Sequence, residues 1–158
     1  MATDLKSANG TRVFFGTAVG PDTDTATEFA ALTWTEVGLV ESGGDFGDES
    51  NPVNGTPLAE GRVRKGKGSK DAGMMALTCF HDPSDAGQQA LIAAEATNQN
   101  YAVKVVLPNR LTTGGTDEIN YFRALVMSKR KSVGAVDNLL RRTFNLGINS
   151  PIYEVPPT

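Results

Sequence analysis

The stretch Gly61–Gly68 (Gly-Arg-Val-Arg-Lys-Gly-Lys-Gly) comes within one hydroxyl of a phosphate-binding loop. Such a loop cradles phosphates on backbone N–H groups, sends a Lys to the outer phosphates and uses the following Ser or Thr to hold magnesium. Here Gly68 stands where the hydroxyl is needed and Ser69 comes one place late. No apolar strand leads in and no helical pattern leads out, so nucleotide binding is set aside. His81 is the only histidine, which removes every multi-histidine metal site. Cys79, His81, Asp82 and Asp85 are close in sequence, but Cys79 and His81 share one strand parity while the aspartates have the spacing of a helix cap. A Ser-His-Asp or Cys-His mechanism would have to run through His81, which stands before a proline-capped helix and lacks a nucleophile elbow. Lys129-Arg130-Lys131 and Arg141-Arg142 offer a nucleic acid some positive charge, with Tyr121 and Phe122 nearby. Strand alternation sends neighbouring charges to opposite sides, so pairing with acidic neighbours is the simpler reading. The chain is therefore read as a non-enzyme with no catalytic residue, cofactor or metal.

Composition fits that reading. The chain has 158 residues, which suits one domain with a core of its own. With 17 Gly and 8 Pro, and many Thr, Val and Asn, it favours strands joined by turns over a helical bundle. No run approaches the roughly 18 apolar residues of a membrane span, and no basic-then-apolar leader opens the sequence; a soluble protein outside the standard secretory route is expected. On that expectation Asn9-Gly10-Thr11 and Asn54-Gly55-Thr56 are turns and not glycan acceptors. One cysteine, Cys79 in an apolar strand, rules out an internal disulfide and reads as a buried, inert thiol. A net charge of −3 and a pI near 5.1 argue against a wholly basic DNA clamp and suit a conduit through which DNA slides.

The elements that position these residues follow from period and punctuation. Residues 1–10 are small and polar, an arm without a core. Arg12–Thr17 is a strand, Gly20–Asp24 breaks it, and Thr33–Val40 is the next, with Trp34 as a core or edge anchor. From Glu41 to Asp71 the pattern gives way to Gly, Pro, Asn and sorted charge. Glu41, Asp45, Asp48 and Glu49 come first, then Arg62, Arg64, Lys65, Lys67 and Lys70. An unstructured excursion this long is unusual in a compact domain. It is read either as a solvated hairpin whose arms attract each other or, preferably, as an arm that docks on neighbouring copies.

Gly73–Phe80 is an apolar strand that empties into the single expected helix, residues 82–97, with Asp82 as cap, Pro83 in the first helical position and Asp85 in the first turn. Gly87, Ala90, Leu91 and Ala94 give that helix a small-residue face suited to a sheet. Tyr101–Leu107, Ile119–Val133 and Leu139–Ile148 are strands; Thr112–Asp117 and Gly134–Asp137 connect them. Phe122, Ala124 and Val126 share one face of the long strand, and Arg142, Phe144, Leu146 and Ile148 share one face of the last. Residues 150–158 form an extended tail.

In order and spacing these pieces resemble the major tail tube proteins of long-tailed bacteriophages. The resemblance rests on Thr33–Gly38 before the long loop, Lys70–Gly73 leading to the Met74–Phe80 strand, Asp82–Leu91 opening the helix, and Asn138–Phe144 leading to Ile148–Pro151. It implies a mainly β fold with one α-helix, a sandwich or barrel of the tail tube type. It further implies a virion subunit, assembled in the host cytoplasm, whose homo-hexameric rings stack into a tube for genome delivery. Tape measure, terminator and baseplate proteins would be its partners, and double-stranded DNA would pass through the lumen without specific binding or any membrane contact. The loop and arms would join subunits and rings, through Asp45, Phe46, Asp48, Glu49, Val53, Leu58, Arg62, Arg64, Lys65, Lys67, Ile152 and Tyr153. Two alternatives stand beside it: a tube, ring or terminator component of a related contractile or secretion system, and a small nucleic-acid-binding β-barrel.

Overall fold

The computed structural model describes residues 4–158, so the first three residues of the expected N-terminal arm lie outside it. Among the described residues ten strands and two helices follow one another as β1 (Arg12–Ala18), α1 (Ala26–Ala30), β2 (Thr35–Val37), β3 (Val40–Ser42), β4 (Glu49–Gly55), β5 (Arg64–Asp71), β6 (Met74–Phe80), α2 (Ala86–Glu95), β7 (Tyr101–Leu107), β8 (Glu118–Ser132), β9 (Arg141–Ile148) and β10 (Tyr153–Val155). The main sheet runs β2-β1-β7-β8-β9-β6-β3, with β10 also on β8, while β4 and β5 form a separate two-stranded sheet.

The main sheet curls its two end strands, β2 and β3, towards each other. β2 and β3 sit at its opposite ends, yet only Gly38 and Leu39 separate them in sequence. Three residue steps reach about 11 Å at most. The sheet must therefore curl until its edges nearly meet, forming a barrel. The expected continuous strand Thr33–Val40 is broken for this reason: Gly38 and Leu39 carry the chain from one edge to the other, and Leu39 takes the left-handed conformation at φ 55°.

Both faces of β7 and β8 are covered. Inside the barrel Phe122, Ala124 and Val126 of β8 meet Phe15, Leu77 and Phe144, and Leu91 and Ala94 of α2 join this core. Outside, Tyr121 stacks on Phe29 of α1 at 5.6 Å and touches Trp34 at 5.9 Å, and the indole N–H of Trp34 donates to the Phe29 carbonyl. α1 lies between the expected break at Gly20–Asp24 and the strand expected from Thr33, which corrects the expectation of one helix. Its start is a capping box: the Thr25 hydroxyl accepts from Glu28 N–H and the Glu28 carboxylate accepts from Thr25 N–H.

The start of α2 also moves. Asp85, not Asp82, is the cap, its carboxylate accepting from Gln88 N–H at 2.9 Å and from Gly38 N–H at 3.1 Å. Asp82 instead accepts from the N–H and hydroxyl of Ser84 in a tight turn, which leaves Pro83 outside the helix. Either carboxylate suits a cap locally; the additional bond to Gly38 favours Asp85. The helix is Ala86–Glu95, shorter than the expected 82–97.

The C-terminal segment departs furthest from expectation. It does not leave the domain as a free arm; β10 continues along the edge of β8 that β9 occupies, with Tyr153 opposite Tyr121 and Val155 opposite Ile119. Asn149 N–H donates to the Arg123 carbonyl and Arg123 N–H to the Ser150 hydroxyl, carrying the register across the break.

Candidate functional site

The long excursion is an antiparallel hairpin standing off the barrel. Between β3 and β4, residues 43–48 anchor it: Phe46 is half-buried, its ring 5.7 Å from Phe122. At the far side Asp71 accepts from Gly73 N–H at 2.8 Å, and Gly73, at φ 74°, turns the chain into β6. Between these roots every residue of β4 and β5 is exposed except the half-buried Ser50 and Gly68. An isolated two-stranded hairpin is marginal in water, and this one also exposes Leu58 completely and Val53 and Val63 by more than half.

Its two faces differ. Val53 pairs with Gly66, and a Cβ on Gly68 would stand 2.9 Å from Val53 Cγ2, so one face is a valine lying across glycines. Lys65 and Lys67, two residues apart, share the other face, opposite Asn54 and Pro52. The two ends differ in charge. Arg62, Arg64, Lys65 and Lys67 crowd the distal half, where only Glu60 answers them, paired with Arg64. At the root Glu49 stands directly opposite Asp71, with Asp45 and Asp48 just before and a single cation, Lys70, beside them. The expectation that the arms attract each other is therefore corrected: among the described residues no ion pair crosses the hairpin, and at its root two carboxylates face each other, an unfavourable pairing.

Of the residues read as interface candidates, Asp45, Asp48, Glu49, Val53, Leu58, Arg62, Arg64, Lys65 and Lys67 come together on this hairpin and its root, all exposed. Phe46 is turned into the chain's own core. Ile152 packs against the core, and the Tyr153 ring lies 5.4 Å from Phe29, so both are engaged within their own subunit. Glu41, grouped with the loop, belongs to β3 and pairs with Arg141 at 2.6 Å. An apolar group at the β8–β9 turn was missed: Val133, Val136, Leu139 and Leu140 are all at least half exposed. Four apolar residues within a turn were the available signal.

The other chemistry is structural. Burial pushes the Cys79 thiol up to about 12, with the Asp85 carboxylate adding to the shift. The near-miss phosphate loop is the hairpin tip and β5, with no helix after it. Lys129 pairs with Glu95 at 3.2 Å and Arg142 is buried against Phe144, which breaks up the basic face. Among the described residues no cluster of His, Cys, Asp and Glu is placed to hold a metal, and no helix is long and apolar enough to cross a membrane.

Comparison with known proteins bears on this arrangement. A family profile described as phage tail tube protein matches residues 5–155. No curated protein matches. Among solved structures, a chain of the SPP1 tail tube is similar at TM-score 0.64 and 16% identity, with 96% of this chain and 80% of that one covered. A chain of the anti-feeding prophage baseplate is similar at TM-score 0.69 and 12% identity, covering 99% and 98%. A chain of the anti-feeding prophage tube-terminating cap is similar at TM-score 0.67 and 15% identity, covering 99% and 94%.

Proposed function

The chain belongs to the phage tail tube protein family and is a structural subunit of the virion tail, and we propose that it is non-enzymatic, closes into hexameric rings and stacks them into the conduit that carries double-stranded DNA. The hairpin Glu49–Asp71 carries this reading. Ordered strands with no core beneath them lose conformational entropy without compensating burial. Docking on a neighbouring copy supplies the missing surface: covering the fully exposed Leu58 contributes about 1.5–3 kcal/mol, and the half-exposed Val53 and Val63 roughly half that each. Terminator, baseplate and tape measure proteins are its partners on this reading. The net charge of −3 suits passage of DNA without adhesion.

Electron microscopy of the purified chain tests this, with hollow filaments expected. Replacing Pro52–Lys67 by a short Gly-Ser turn between Asn51 and Gly68 keeps Phe46 in the core, and the product is expected to stay folded and no longer polymerise. Filaments from the trimmed chain would remove the hairpin from assembly. A second reading, a single-ring terminator, draws support from the likeness of fold to the prophage cap; isolated rings from the intact chain would favour it. Salt-sensitive DNA binding by a monomer would overturn both.

A further inference from the structure

The hairpin is charged like a dipole, and its two ends cannot satisfy each other. Lys65 and Asp71 are six steps apart on one strand, about 20 Å at the rise of a β-strand. That exceeds the roughly 8–10 Å over which exposed charges interact in physiological salt. At the root, Glu49 and Asp71 are forced opposite each other by the strand register, with Asp45 and Asp48 nearby and only Lys70 to offset them. These four acids rim a shallow cleft of about 480 Å³ that the half-buried Phe46 and the exposed Met74 also line. At the tip, four cations face one glutamate, and Leu58 and Val63 project beside them. The ends are opposite in charge, and each exposes apolar surface that the other can cover.

We propose that the root cleft of one copy receives the hairpin tip of the next, with Lys65 and Lys67 meeting Asp45, Asp48 and Glu49, and Leu58 lying towards Met74. This rests on the tube reading and names the receiving surface within it. The two patches are different parts of one chain, so the contact is heterologous: every docked copy presents a fresh root or tip, and growth continues until a ring closes or a tube forms. Opposed charges also align the incoming copy before apolar contact is made.

Charge reversal tests the assignment. K65E/K67E gives a copy with an acidic tip and an unchanged root; D45K/D48K gives a basic root and an unchanged tip. All four positions are exposed, so each variant should keep the wild-type circular dichroism and melting temperature. Each alone should raise the critical concentration for polymerisation at least about tenfold, the effect expected of close charge pairs at an interface. Mixed in equal amounts the two should assemble again, because each acidic tip now finds a basic root and each basic tip an acidic one. Polymerisation of either variant alone at the wild-type concentration overturns the assignment, as does a mixture of folded variants that stays unassembled. In both cases wild-type filaments would leave the tube reading standing. A wild-type chain that never assembles overturns both.

Discussion

Cys79 shows how a reactive group is made inert by its place. The side chain has no exposed surface, and desolvation holds its thiol at about 12 against an ordinary value of 9.0. The thiolate, which is the nucleophile, is thus disfavoured in the folded state far above neutral pH. The sign for stability follows. Below pH 9 both folded and unfolded chains keep the proton and nothing is lost. Above it the unfolded thiol ionises first, so stability declines as pH rises from 9 through about 12. Two measurements check this. At pH 8 a thiol reagent should label the native chain at least about a thousandfold more slowly than the unfolded one. Cys79→Ala should unfold with a shallower alkaline loss of stability than the wild type; an identical slope would remove the thiol from the alkaline limb.

At the scale of elements, period and punctuation located most strands, because each has a buried face to advertise. The alternation of Arg142, Phe144, Leu146 and Ile148 in β9 is what a strand buried on one face writes. What stayed hidden was set by contacts distant in sequence. β10 carries little apolar signal and is a strand because β8 offers an unpaired edge. The broken strand at Gly38–Leu39 answers to barrel closure, and the start of α2 to a carboxylate that also binds a residue 47 positions away. The hairpin was legible as an excursion with sorted charge, but its register, and hence the opposed Glu49 and Asp71, was not. Gln88 is the sharpest omission. It has no exposed surface; its amide N–H groups donate to the Gly38 and Phe80 carbonyls at 3.1 and 2.9 Å, and its oxygen accepts from Asp82 N–H at 3.1 Å. One side chain therefore ties α2 to the β2–β3 link and to the end of β6. A polar residue on an apolar helix face carries no mark of this in sequence. Gln88→Leu leaves these groups without their partner and should destabilise the fold by about 3 kcal/mol in denaturant titration. A loss below about 0.5 kcal/mol would mean water replaces the amide without cost.

For the whole molecule, the decisive step is closure of the sheet, since it brings the hairpin root, α2 and the β6–β9 pair onto one frame. Closure depends on two residues. Gly38 must be small: a Cβ there would stand 2.5 Å from Asp85 Oδ1, on the carboxylate that caps α2. Leu39 must turn the chain with a positive φ, a conformation that costs an L-residue about 1–2 kcal/mol. Its carbonyl accepts from Phe80 N–H at 2.9 Å, which pins the turn to the end of β6. More than half of the leucine side chain is exposed, so little packing depends on it. Replacing it with glycine removes the steric strain but raises the entropy cost of folding by about 0.5–1 kcal/mol, and the two effects nearly offset. Leu39→Gly should therefore unfold within a few degrees of the wild type, on its upper side, at about 2–4 °C per kcal/mol for a chain of this size. Leu39→Val places a β-branched side chain where positive φ is least tolerated and should lower the midpoint by a similar amount. The ordering Gly, Leu, Val in melting temperature is the test. A valine variant as stable as the glycine one would mean that the closure relaxes to a negative φ, and that the barrel does not need the left-handed step.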